Sequence, residues 1–199
     1  MIRILGRKTS GNVQKVLFCL EEIGAEYTRE DYGRQFGNTA TPEYLTMNPT
    51  GKVPTVVDGD AVIWESNTIL RYLAATHAPA LTGATPAETT EVERWMDFLL
   101  AAINSGYLAA FKGSKLDPAD RPPGFDAQVS DLHAQMAILD RHLDGRTHVA
   151  LDRLTLADIA LTPIIGRCLN FPLDRPDMPA LEAWHADIAA RSAYVAATQ

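Results

Sequence analysis

The chain has 199 residues, 46% apolar and 22% charged, which suits one large or two small globular domains and excludes a disordered or fibrous chain. Its formal net charge of −7 is uneven: residues 1–77 carry 8 Lys and Arg against 9 Asp and Glu, and residues 78–199 carry 10 against 16. With no basic footprint in either half and no apolar run near the roughly 20 residues of a membrane helix, neither a nucleic acid nor a membrane is expected as partner.

The first half alternates. A strand is predicted at about 2–5 (IRIL), then a loop, GRKTSGN, then a helix over about 12–24 with Val13, Val16, Leu17, Leu20 and Ile23 on one face. Gly24 is its stop signal. A second strand at about 26–31 leads to a polar loop and a short helix near 42–47. Two strands, about 54–57 and 61–64, join around Asp58-Gly59 as a hairpin. A helix from Ser66 to about Thr76, burying Ile69, Leu70 and Leu73, closes a βαβ–ββα unit over residues 1–77. Residues 78–86 (APALTGATP) read as a linker. The remainder, 87–199, is expected to be all-helical. Helices are predicted over about 87–112 and about 124–144, with DPADRPPG between them, then from Thr155, and over about 180–191. Thr155 and Asp158 form an acidic capping box, with Leu154 and Ile159 at the hydrophobic-staple positions. Pro163 should bend that helix.

Cys19 and Cys168 lie far apart and lack CxxC spacing, which argues against a disulfide framework or a zinc site. They read as buried small hydrophobes, and the reducing cytoplasm is the expected compartment. The first twelve residues show no apolar stretch of the secretory kind. The five histidines show no metal-ligand spacing, so no metal is expected.

Residues 51–66, GKVPTVVDGDAVIWES, carry the chemistry. Pro54 lacks an N–H and restricts Val53. In a cis arrangement the N–H and C=O of Val53 would be free for an extended guest. Ser66 then stands where a helix N-cap belongs, with orphan N–H groups and the positive dipole end open to a carboxylate. The nearly neutral first half is the better host for an anionic small molecule.

Val-Pro before the third strand and Glu-Ser opening the last helix of a βαβ–ββα unit resemble the thioredoxin-like half of a glutathione transferase. SGNVQKV at 10–16, NPTGKVP at 48–54 and LADIAL at 156–161 extend that resemblance over essentially the whole chain. It implies an α+β protein: a thioredoxin-like βαβββα-type domain followed by an all-α helical bundle. Glutathione would be the co-substrate, a small electrophile the second partner, and a symmetric homodimer the assembly. By position, the resemblance gives the backbone of Val53, next to Pro54, the pairing with the glutathione cysteine, as in strand addition to an open edge. It gives Glu65 the γ-glutamyl ammonium, Ser66 the γ-glutamyl carboxylate, and Lys52 the glycyl carboxylate. Ser10 and Asn12 stand where related bacterial proteins place groups near the thiol. No Tyr occupies the first loop and Cys19 lies well inside the first helix, so the Ser/Asn type is the one that fits. An electrophile pocket between the halves would be lined by Asn104, Tyr107, Leu108 and Phe111, with Phe36 at its rim. Conjugation of glutathione to small hydrophobic electrophiles leads. Glutathione-dependent disulfide or peroxide reduction, dehalogenation or isomerisation, and binding without turnover are the alternatives.

Overall fold

A computed structural model describes residues 1–199. The chain forms two units: residues 1–81 together with 190–199, and residues 82–189.

In the first unit, β1 (Ile2–Leu5), β2 (Tyr27–Glu30), β3 (Thr55–Asp58) and β4 (Ala61–Trp64) form one sheet in the order β2-β1-β3-β4. β1 and β2 run parallel through the crossover helix α1 (Gly11–Ile23), and the other two pairs are antiparallel. The pairing Leu5↔Thr55↔Trp64 sets the register of the centre. β3 starts at Thr55, one residue later than predicted, because Pro54 has no N–H to give to the ladder. Asp58 pairs with Ala61, so Gly59 and Asp60 make a two-residue hairpin loop, with Gly59 at φ +58°. Two further helices, α2 (Pro42–Met47) and α3 (Ser66–His77), complete the βαβ–ββα path.

The predicted face of α1 is buried at Val13, Val16, Leu17 and Leu20, while Ile23 is half-buried. Gly24 ends the helix in the left-handed region at φ 64°. Phe18 and Cys19, on the opposite face, are buried as well. A helix absent from the sequence prediction, α9 (Ser192–Thr198), packs along α1. Tyr194 meets Phe18 edge-on at 5.3 Å, and Arg191 clasps Glu22. Seven residues, SAYVAAT, are too short to announce a period of 3.6.

The second unit contains α4 (Pro86–Phe98), α5 (Asn104–Gly113), α6 (Phe125–Leu143), α7 (Leu156–Leu169) and α8 (Pro179–Ala189). The single helix predicted over 87–112 is interrupted by a π-helical turn, Leu99–Ile103. Apolar spacing cannot show that one extra residue fits in a turn. α5 and α6 approach closely at Gly106, where a Cβ would stand 2.7 Å from the Leu132 Cβ. α7 begins with the expected capping box. The carboxylate of Asp158 accepts from Thr155 N–H (2.9 Å), Thr155 Oγ1 (3.1 Å), Val149 N–H (2.8 Å) and Trp184 Nε1 (3.0 Å). Pro163 lies within this helix. No helix is long and apolar enough to cross a membrane.

Candidate functional site

The β4–α3 corner and the loop before β3 face the start of α1 across a small cleft. Its lining is Asn12, Asn48, Thr50, Lys52, Val53, Pro54, Glu65 and Ser66. The cavity volume is about 50 Å³, room for a charged head group rather than a whole tripeptide. Six predicted site residues therefore meet here, joined by Asn48 and Thr50.

The loop owes its shape to a buried polar cluster that sequence reasoning missed. Asn48, 2% exposed, donates from Nδ2 to Lys52 O at 2.8 Å and to Thr55 Oγ1 at 3.0 Å. Its Oδ1 accepts from Thr50 N–H and Oγ1 at 3.1 and 2.7 Å. Tyr44 donates its hydroxyl proton to Lys52 O at 2.6 Å, so the Thr55 hydroxyl, 2.9 Å away, donates to Tyr44. Burial is the main cause that raises the Tyr44 pKa. The NPTG turn signal marked the loop without revealing that Asn48 faces inward. Val53 then joins Pro54 by a cis peptide bond, and its backbone N–H and C=O enter no turn or ladder bond. The side chain of Lys52 is exposed at the edge.

Glu65, at φ 67° and ψ 115°, is a non-glycine residue in a sparsely populated backbone region, of the kind that clusters at binding corners. It occupies the N-cap of α3, so Ser66 is the first helical residue rather than the cap predicted from the sequence. The carboxylate of Glu65 does not cap the helix, and the first N–H groups of α3 have no intrahelical acceptor. Ser66, 4% exposed, donates its hydroxyl to Asn12 Oδ1 at 3.4 Å. That bond ties α3 to α1.

Ser10 is the N-cap of α1, 7% exposed, with extended backbone (φ −86°, ψ 125°). Its N–H donates to Arg7 O at 3.1 Å and its carbonyl accepts from Gln14 N–H at 2.9 Å, but its hydroxyl makes no cap bond. Asn12 is exposed in the first turn. Lys15, one turn on, is 1% exposed, and burial pulls its ammonium down to about 7 despite the attraction of Glu65. Nothing in the sequence marks it, because a lysine on a helix is ordinarily solvated. Burial pushes the thiols of Cys19 and Cys168 up to about 12, so both stay protonated.

Of the residues predicted to line an electrophile pocket, Phe36 lies in the first unit, 41% exposed. The other four lie in the second, on α5. Leu108 is 42% exposed and Asn104 half-buried, whereas Tyr107 is buried with its ring 6.0 Å from Phe111 and 6.1 Å from Phe171. A larger cavity of about 510 Å³ opens in the second unit among Arg121, Phe125, Asp126, His133, Leu173 and Asp174. No predicted site residue lines it, and its opposite charges offset one another.

Comparison with known proteins gives the family. Residues 6–75 match the family described as Glutathione S-transferase, N-terminal domain, and residues 122–187 match Glutathione S-transferase, C-terminal domain. The chain is 34% identical over 198 residues to Glutathione S-transferase GstB of Escherichia coli (strain K12), covering 97% of this chain and 95% of that one. It superposes on the theta class glutathione S-transferase of Xanthomonas axonopodis pv. citri with glutathione bound, with a TM-score of 0.93 and 38% identity. That match covers 100% of this chain and 97% of the other. A glutathione transferase family member from Pseudomonas fluorescens pf-5, with two glutathione bound, superposes with a TM-score of 0.90 at 25% identity, covering 99% and 92%. With a thioredoxin-like first unit, a helical second unit and such similarity along nearly its whole length, the protein belongs to the glutathione S-transferase family and is a glutathione transferase.

Proposed function

We propose that the protein holds glutathione in the cleft between α1, the Val53 loop and the β4–α3 corner, and conjugates its thiolate to small hydrophobic electrophiles. The observation that carries this reading is the meeting of an unpaired backbone at Val53 with Glu65, Ser66 and Asn12 in one cleft. The backbone of Val53 pairs with the cysteinyl residue of the ligand. Glu65 takes the γ-glutamyl ammonium, Ser66 and the first N–H groups of α3 take its carboxylate, and Lys52 takes the glycyl carboxylate. Ser10 and Asn12 face the sulfur. Leu108 and Phe111 on α5, with Asn104, Tyr107 and Phe36, are assigned to the electrophile.

Magnitudes support a Ser-type mechanism. A thiol of pKa roughly 8.5 is only a few per cent ionised at neutral pH. Lowering it by about two units requires about 2.7 kcal/mol favouring the anion. A hydroxyl donating to a charged acceptor contributes about 1.5–3 kcal/mol, and a helix N-terminus about 0.3–1 kcal/mol. Ser10 at the start of α1 supplies both, and its hydroxyl is not used as a helix cap. The same shift lowers intrinsic nucleophilicity by about tenfold at a Brønsted slope near 0.5, so holding the electrophile against sulfur supplies the rest of the acceleration.

Glutathione-dependent disulfide reduction is the second reading, favoured by the Pseudomonas fluorescens relative with two glutathione bound. It needs no protein thiol. The reducing cytoplasm, suited to two buried unpaired cysteines, is the proposed compartment, and a homodimer the proposed assembly. Calorimetric titration of glutathione into wild type and Glu65→Ala tests the cleft. A loss of at least about tenfold is expected, since a hydrogen bond to a charged group contributes about 1.5–3 kcal/mol. Turnover of a chlorinated nitroarene against a small disulfide ranks the two chemistries. Ser10→Ala should slow the preferred one by about tenfold or more. Unchanged rates in Ser10→Ala would remove Ser10 from the mechanism.

A further inference from the structure

Lys52 immediately precedes Val53, and its carbonyl oxygen accepts from two buried side chains, the Tyr44 hydroxyl at 2.6 Å and Asn48 Nδ2 at 2.8 Å. The two donors belong to one closed circuit. Asn48 Nδ2 also donates to Thr55 Oγ1 at 3.0 Å, and the Thr55 hydroxyl donates to Tyr44 at 2.9 Å. The circuit is anchored on both sides: the Tyr44 ring stacks on Tyr32 with centroids 5.2 Å apart, and Thr55 pairs with Leu5 and Trp64 in the sheet. Phenylalanine would fill the same space and stack as well, so what the Tyr44 hydroxyl adds is its hold on Lys52 O. The one cis peptide bond is Val53-Pro54, so the Lys52–Val53 unit is trans. In a planar trans unit the C=O and the N–H point in opposite directions. A carbonyl held against the buried circuit therefore turns the N–H of Val53 away from it. That N–H enters no hydrogen bond, and Val53 lines the cleft.

We propose that Tyr44 and Asn48 are positioning residues: by holding the Lys52 carbonyl from the protein interior, they aim the N–H of Val53 at the cysteinyl carbonyl of the bound ligand. The inference rests on the glutathione reading above. Residues 49–54 lie between α2 and β3, outside the ladder, so no strand bond fixes this peptide plane. Two donors converging on one oxygen prevent it from swinging. With the Tyr44 hydroxyl removed, Asn48 remains as a single pivot, and only a fraction of molecules keep the plane in its binding orientation. Apparent affinity falls by that fraction. The loss reaches only ligands that carry a cysteinyl carbonyl. Glu65 and Ser66 stand on another element, and the hydroxyl of Ser66 bonds to Asn12 rather than to the circuit.

The test titrates three ligands into wild type and Tyr44→Phe by calorimetry: glutathione, γ-glutamylcysteinamide, which keeps the cysteinyl carbonyl but lacks the glycyl carboxylate, and γ-glutamylcysteamine, which lacks both. Tyr44→Phe should weaken the first two about fivefold each and the third less than about twofold, a ligand-by-mutant cycle that isolates the carbonyl. Equal weakening of all three would mean that Tyr44 supports the fold in general. Weakening of glutathione alone would mean that it acts through the Lys52 side chain. Unchanged affinities would mean that Asn48 suffices. Each of these overturns the positioning role while the glutathione reading stands. If wild type gives no binding heat with glutathione, that reading fails and takes the inference with it. Should Tyr44→Phe not fold, or γ-glutamylcysteamine bind too weakly to titrate, the Val53 amide proton of wild type decides by NMR. It should move downfield with glutathione, and a resonance that stays in place overturns the proposal.

Discussion

An ordinary surface lysine keeps its ammonium in water, whereas the Lys15 side chain is 1% exposed. Unfolded, Lys15 titrates near 10.5; folded, burial brings it to about 7. Between those values the unfolded chain binds more protons, so Lys15 costs stability at and below neutral pH, and the cost fades as pH rises from about 7 toward 10.5. Replacing it with Met should stabilise the ligand-free protein at neutral pH by on the order of 4 kcal/mol. The same replacement should abolish the rise in stability with pH, both measured by denaturant titration across that range. A variant that unfolds more easily at neutral pH would contradict this account of the burial. Asn48 shows the opposite case, a buried polar side chain with its amide groups engaged, and its effect is to present Val53.

At the scale of elements, α7 shows a local signal that tertiary structure enlarges. Thr155 and Asp158 have capping-box spacing, and a capping box forms. The same carboxylate also accepts from Val149 N–H and from the indole of Trp184 on α8, so it joins a helix start to two other segments. Asp158→Asn keeps the size but replaces an acceptor oxygen with a donor, setting it against a buried N–H. It should cost about 3 kcal/mol, seen as a lower denaturation midpoint with little change in glutathione affinity. A change below half of that would mean the cap alone matters. The α3 start is the counterpart, where Glu65 takes the N-cap without using its side chain.

For the whole molecule, the chain's last ten residues return to the first unit, where α9 covers the Phe18 side of α1. Ending the chain after Ala189 would expose Phe18 and strip Glu22 of Arg191. The melting temperature should fall by several degrees, as expected for about 2 kcal/mol in a chain of this size. Hydrogen exchange in α1 should quicken before exchange in α6 does. Equal protection in both helices would show that α9 contributes little. The element order of the first unit was legible because period-2 and period-3.6 apolar patterns, Asp58-Gly59 and Gly24 are local signals, each acting within a few residues of itself. Val53, Glu65 and Ser66 were legible as a motif for the same reason. The seating of Asn48 and Thr50 in the cleft, the burial of Lys15, the π-helical turn after Phe98 and the return of α9 were not. Each depends on which surface the folded chain lays against a residue, and neither the residue nor its neighbours in sequence encode that.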